Sequence, residues 1–310
     1  MGGIKHLVIS GGGHIGLAQC SIVHSLAEQG VIQHKELDSI FATSAGSITA
    51  ALICMNYTGD EISNYFINRP WQKTLHVGMS EIFGIYNEMG VIDEKFFHTL
   101  LEPLLLGKGV SPDINLHQFY EWCGIKLYFY TVDLNTFDVC ELSYETYPNL
   151  SLVTAITMSS SIPILMKPTF YDGKCFVDGG VLNNYPLRCC FNKTQCKEKQ
   201  VIGITTTVSD TYNDASNNII NKCQSVTETS NIFDVFMSFY NHYKAILKKQ
   251  KDEDSFSIPY EIVIPTTGIT VDSLYAILQE KNERSTLFHT GKTLAQQFID
   301  NHDELCGVDV

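Results

Sequence analysis

Apolar residues in this chain fall into short continuous runs separated by longer amphipathic stretches. The runs at 6–10, 37–42, 126–133, 174–178, 201–207 and 260–264 predict strands. Several show no polar alternation, which predicts burial on both faces. Between the first runs, 16–29 and 45–57 have helical spacing, and they stop near Gly30 and Gly59. This alternation predicts βαβ units. The expected fold class is α/β, a mostly parallel central sheet flanked by helices on both faces.

The remaining pattern fills in around that sheet. Residues 60–124 read as mostly helical, with Gly107, Gly109 and Pro112 marking a turn. Asp172-Gly173 predicts a hairpin turn between two short runs. Residues 209–229, rich in Ser, Thr, Asn and Asp, predict a long mobile loop. An aromatic helix is expected over 231–247, a charged exposed connection over 248–257, and a last helix over about 270–300 in two pieces. The part after 229 holds too few strands to fold alone. One domain over 1–310 is therefore expected, with a motif-bearing core at 4–208 and a helical C-terminal extension at 230–310.

Charge and cysteine usage narrow the function classes. A formal net charge of -13 argues against nucleic-acid binding. The densest basic stretch is Lys248-Lys249-Gln250-Lys251, and acids follow it directly. The ten cysteines show no CxxC pair and no His/Cys metal spacing. Free thiols, no metal and a cytoplasmic, reducing location are expected. The N-terminal run turns polar too soon for a signal peptide, and His6 stands where myristoylation prefers Ser or Thr. The uncharged stretch 39–59 contains Ser, Thr, Asn and Gly, which suits a strand, elbow and helix better than a transmembrane helix.

Three motifs carry candidate chemistry. SGGGHIG at 10–16 places Gly11, Gly12 and Gly13 where exposed amides approach a ligand. Donors aimed at an oxyanion contribute roughly 3 kcal/mol each. Gly11, Gly13 and Gly16 also satisfy GxGxxG, with Glu36 or Asp38 as a ribose acid. ATSAG at 42–46 puts Ser44 between a predicted strand and helix, with Ala42, Ala45 and Gly46 small enough for a strained turn. That is the form of a nucleophile elbow, and also of a helix N-cap. KCFVDGG at 174–180 ends a strand on Asp178, followed by Gly179 and Gly180. Partial burial would raise the Asp178 pKa and make it a better base, whereas a plain turn would need only its hydrogen bonds. An elbow so soon after the glycine loop favours the oxyanion reading, because a dinucleotide fold has no use for it.

In this order, GGGHIG, ATSAG and DGG resemble the GGGxxG, GxSxG and DG[GA] motifs of patatin-like phospholipases. LYFYTVDLNT around Asp133, AITMSSSIPILMKP and DGGVLNNYPL are similar to other recurring stretches of that family. The resemblance covers about 4–208, and the C-terminal third only loosely, through the helix around Gly291. It implies a patatin-like three-layer α/β/α fold and a Ser–Asp dyad without histidine. By that resemblance Ser44 forms an acyl-enzyme, Asp178 accepts its proton, and the Gly11–Gly13 loop binds the oxyanion. Gly16, Ala42, Ala45, Gly46, Gly179 and Gly180 would support the motifs. No metal or organic cofactor is implied. The substrates would be acyl esters of glycerophospholipids, or acylglycerols, met during transient association with a membrane surface.

Two positions depart from the family pattern. Ala42 replaces the first glycine of the elbow, and Ile15 stands where many members carry Arg or Lys. Two other readings compete. One is an α/β-hydrolase esterase drawing a triad histidine from His242, His289 or His302. The other is a non-enzymatic lipid- or nucleotide-binding module on the same fold. His14, beside the glycines, is a candidate modulator of the site. Two apolar stripes are candidates to border a lipid pocket: Phe233, Phe236, Phe239, Tyr240, Tyr243 and Leu247, and Leu100, Leu101, Leu104, Leu105 and Leu106.

Overall fold

A computed structural model of the chain describes residues 3–73, 89–208, 232–252, 257–266 and 268–305. Eight strands form one mixed sheet: β1 His6–Ile9, β2 Ser39–Thr43, β3 Lys126–Asp133, β4 Asp138–Ser143, β5 Thr169–Tyr171, β6 Lys174–Asp178, β7 Val201–Val208 and β8 Glu261–Thr266. Their order is β5-β6-β3-β2-β1-β7-β8, with β4 on β3. The pairs β3–β2, β2–β1, β1–β7 and β7–β8 are parallel, and β4, β5 and β6 join antiparallel. The long helices are α1 Gly16–Glu28, α2 Ala45–Cys54, α3 Gly59–Asn68, α4 Glu94–Gly107, α5 Leu116–Cys123, α6 Leu152–Ser160, α7 Leu187–Thr194, α8 Ile232–Asp252, α9 Val271–Gln279 and α10 Lys281–Asp300.

Strand alternation builds three layers. Leu7, Ile9, Ile40, Ala42, Leu127 and Phe129 face one large core with α1, α2 and α4. Their neighbours Val8, Phe41, Tyr128 and Tyr130 face the opposite side, where Leu187 and Cys190 of α7 cover them. Period-two geometry thus makes continuous apolar strings the right sequence for strands covered on both faces. The C-terminal part joins the same assembly. β8 extends the sheet, and α10 lies against α1, where a Cβ on Gly291 would meet Ala18 O at 2.5 Å.

The six predicted strands and the two-piece final helix are present. Asp172-Gly173 forms the β5–β6 turn with φ of 49° and 73°, the left-handed pair that favours such dipeptides. The connection expected from residue 248 is instead helical through Asp252. Lys and Gln are good helix formers and no Gly or Pro stops the run. β4 escapes the apolar-run pattern because its residues 138–141 are exposed or half-buried, leaving no continuous apolar stretch. The loop expected at 209–229 lies outside the described residues.

Candidate active site

β2 and β6 approach each other head-on along one edge of β3. The other edge of β3 is taken by β4 through Tyr128–Asp133. On the shared edge, Thr43 pairs with Tyr130 and Asp178 pairs with the next residue, Thr131. Each strand ends there, so Ser44 and Asp178 leave the sheet at the same point. Ser44 Oγ donates to Asp178 Oδ2 at 2.6 Å.

Ser44 immediately precedes α2, as its N-cap residue, with φ 54° and ψ −127°, a conformation that a non-glycine residue adopts at a cost of about 1–3 kcal/mol. Surrounding contacts hold it. Its N–H donates to Ser159 Oγ at 2.9 Å, and that hydroxyl donates to Tyr130 O at 2.7 Å. Ser159 therefore bridges the two main-chain groups left where β2 turns away from β3. The turn forms with Ala42 in place, fully buried in β2. Gly46 lets the start of α2 pack on β1, since a Cβ there would meet Ile9 O at 2.6 Å. Gly179 is tighter still, with Tyr130 O at 2.2 Å from a Cβ.

Asp178 is 1% exposed. Its Oδ1 accepts the Gly180 N–H at 2.6 Å and its own N–H donates to Ser161 O at 2.8 Å. Burial raises its pKa above the ordinary carboxylate value, while the Ser44 hydroxyl, the Lys244 charge and the Gly180 amide pull it back. The carboxylate is thus poised to take a proton from the hydroxyl it already touches.

The glycine loop stands over the same point. Among the described residues no acceptor is found for Gly12 or Gly13 N–H, and Gly13 turns with φ 55°. The Gly11 amide is different. It donates to Asn184 O at 3.0 Å, which corrects its expected place among the oxyanion donors. Gly11 is structural here: Asn184 also donates through Nδ2 to Gly11 O at 3.2 Å. Ile15 is buried in the core.

A largely apolar cavity of about 970 Å³, open mouth included, reaches Ser44. Ser44, Gly13 and His14 line it, together with Ile48, Leu52 and Leu100. Leu100 brings the α4 stripe to the pocket; Leu101, Leu104 and Leu105 are core and Leu106 is exposed. His14 Nδ1 is buried without a partner among the described residues, and burial pulls the imidazole pKa down to about 4. Arg284 also lines the cavity. Its two Nη atoms donate to Ile277 O, Leu278 O and Ile67 O, so the carbonyl ends of α9 and α3 hold its charge.

Residues 7–189, more than half of the chain, match the patatin-like phospholipase family. The chain belongs to this family. Its chemistry is accordingly that of a lipid hydrolase. A protein described as a probable lipid hydrolase, 463L of Invertebrate iridescent virus 6, is 27% identical over 214 residues, covering 67% of this chain and 71% of that one. YqhO of Bacillus subtilis is 29% identical over 213 residues, covering 64% of this chain and 69% of its own. The fold is shared with VipD from Legionella pneumophila, at a TM-score of 0.54 and 16% identity over 96% of this chain and 67% of VipD.

Within this patatin-like chain the triad-histidine and dinucleotide readings fail on geometry. His242 is exposed and bonded to Ser238 O, His289 is exposed, and His302 lies against Phe298 and Tyr260. Among the described residues none of the three shares a hydrogen bond with Ser44 or Asp178. Glu36 and Asp38 precede β2, at the strand end away from the glycine loop, and face Lys5 and Lys126. They are not placed to bind a ribose there.

Sequence reasoning passed over three residues beside the dyad: Ser159, Asn184 and Lys244. Lys244 Nζ, on α8, donates to Asn184 Oδ1 at 2.9 Å. Its signal was present. Met237, Tyr240, Asn241 and Lys244 follow the i, i+3, i+4, i+7 spacing of one helix face, so a lysine falls on the buried side.

Proposed function

We propose that this protein is a serine lipid acyl hydrolase of the phospholipase A type, cleaving acyl esters of glycerophospholipids through an acyl-enzyme. The observation that carries the reading is the 2.6 Å hydrogen bond to buried Asp178 from Ser44, which stands on a strained turn and lines an apolar cavity. Ser44 Oγ attacks the ester carbonyl carbon as its proton passes to Asp178 Oδ2. The carbonyl oxygen becomes an oxyanion and accepts from the Gly12 and Gly13 amides. Collapse breaks the carbon–oxygen ester bond. The leaving lysolipid oxygen takes the proton from Asp178, and the acyl group stays on Ser44. Water then gives a proton to Asp178 and attacks the acyl carbon. Ser44 leaves with that proton, and the fatty acid is released. No step requires a metal or organic cofactor.

The cavity is suited to an acyl chain, which excludes water from the reacting ester. We place the enzyme in the cytoplasm, working transiently at membrane surfaces. All described cysteines are free thiols, in keeping with a reducing compartment. Among the described residues no helix is long and apolar enough to cross a membrane. Surface association is instead assigned to α8. Ile232, Val235, Phe239 and Ile246 form an exposed apolar stripe on it, while Met237 and Tyr240 are buried. The test is fatty-acid release from phosphatidylcholine and phosphatidylethanolamine vesicles, read by mass spectrometry. Release by the native protein and none by Ser44→Ala supports the reading; folded protein that binds lipid without releasing fatty acid contradicts it.

A further inference from the structure

Asp178 is an almost completely buried carboxylate, and Lys244 is the cation that acts on it. The ammonium comes from the inner face of α8, half-buried, and lies 5.4 Å from the Tyr240 ring centroid. Its hydrogen-bond acceptor is Asn184 Oδ1 at 2.9 Å. Asn184 in turn grips Gly11 twice, through Nδ2 to Gly11 O and through its carbonyl to Gly11 N. A Cβ on Gly180 would meet Asn184 Oδ1 and Asp178 Oδ1 each at 2.8 Å, so these two oxygens face one gap. Two acceptors so placed repel each other unless a positive charge stands beside them.

We propose that Lys244 is a positioning residue of the dyad, one whose ammonium locks Asn184 onto the glycine loop and supplies the positive charge that lets a carboxylate work at this depth. The proposal rests on the Ser44–Asp178 reading above. It assigns α8 a part in catalysis: the helix that carries the exposed apolar stripe also completes the electrostatics of the base. Among the described residues the groups facing Asp178 are few. Ser44 reaches it from the elbow, Lys244 and Tyr240 from α8, and the Gly180 amide from the turn below. Lys244 is the cation among them. Burial pulls its pKa down and Asp178 pushes it up, the mirror of what happens at the carboxylate.

The sign of the effect follows. Removing the cation raises the proton affinity of Asp178, so the acid limb of kcat/KM moves to higher pH. A nearby opposite charge shifts a carboxylate by about one to three pH units, so the displacement expected is about one unit. The full-length protein, Lys244→Met and Lys244→Arg are compared on p-nitrophenyl butyrate, a neutral ester without phosphate, and on phosphatidylcholine vesicles. Lys244→Met is expected to lose about tenfold or more in kcat on both substrates, with KM for the neutral ester held within about twofold and the limb displaced upward. Lys244→Arg is expected to return the limb to its native position. If Lys244→Met yields little folded protein, Lys244→Gln carries the same expectations.

An unmoved acid limb overturns the proposal. So does a defect confined to KM on the phospholipid, which would make Lys244 a reader of the headgroup phosphate. Native activity that depends on Ser44 but is matched by Lys244→Met removes this inference alone. Folded native protein inert toward both esters removes it together with the reading on which it rests.

Discussion

Thr43 and Asp178 pair with consecutive residues of β3, Tyr130 and Thr131, so the ends of two oppositely directed strands abut on one strand edge. The meeting of Ser44 with Asp178, 134 positions apart in the chain, is therefore fixed by sheet register. Side chains held by main-chain ladders keep their geometry when one of them is trimmed. This separates activity from stability in the variants considered below.

Asp178→Asn removes the proposed base and keeps the shape. Activity on any ester is expected to fall by about three or more orders of magnitude. The native enzyme should show a one-proton acid limb. The carboxylate must be ionised to accept the Ser44 proton, so activity falls as pH drops through its pKa. Burial places that pKa above the ordinary aspartate value of about 3.9. Rate profiles from pH 4 to 8 check both points. A limb at or below the ordinary value contradicts the burial argument.

His14 gives a prediction about stability. Its imidazole is pulled down to about 4 in the folded protein by burial, against about 6.5 when unfolded. Between those values the unfolded chain binds the extra proton, so stability falls as pH drops from about 6.5 toward 4. His14→Asn should show a shallower decline over that window in thermal melts. Asp178 contributes with the opposite sign and is common to both proteins, so the difference isolates His14. Parallel declines would mean that His14 is hydrated when folded.

Gly179→Ala tests the close approach of β3 to the turn after Asp178. The new Cβ would overlap Tyr130 O, a main-chain atom that cannot swing aside. A loss of about 2–4 kcal/mol in chemical denaturation, or failure to accumulate folded protein, is expected. Native-like stability would show that the turn has room to relax.

Much of this site was legible in the sequence, because its chemistry is concentrated in three short motifs at strand ends. Small residues around Ser44 signalled the elbow, and the strand run ending on Asp178 before two glycines marked the carboxylate; that the backbone there packs too closely for a side chain emerges only in the structure. Long-range partners were hidden. Nothing local marks Ser159 as the bridge between Ser44 N and Tyr130 O. Nor does anything local show that Asn184 takes the Gly11 amide, which changes a presumed oxyanion donor into a structural bond. Lys244 lies within a helix whose pattern is dominated by aromatic residues, and its place near Asp178 comes only from packing α8 against the 179–181 turn.

The outer face of α8 is expected to set membrane affinity without touching the dyad. Phe239→Ser combined with Ile246→Ser removes two exposed apolar groups. Co-sedimentation with phosphatidylcholine and phosphatidylserine vesicles should fall about tenfold or more, while turnover of p-nitrophenyl butyrate stays within about twofold. Unchanged sedimentation would move the membrane contact elsewhere. Loss of a dimer by light scattering would identify the stripe as a subunit interface instead.

The central claim is that Ser44 is an activated nucleophile, and covalent labelling tests it most directly. The folded native protein is incubated with a fluorophosphonate probe, digested, and the adduct located by mass spectrometry. The account predicts one adduct, on the peptide containing Ser44, absent in Ser44→Ala and formed at least about a hundredfold more slowly in Asp178→Asn. An unlabelled Ser44 in well-folded native protein, or labelling that proceeds at the native rate without Asp178, would contradict it.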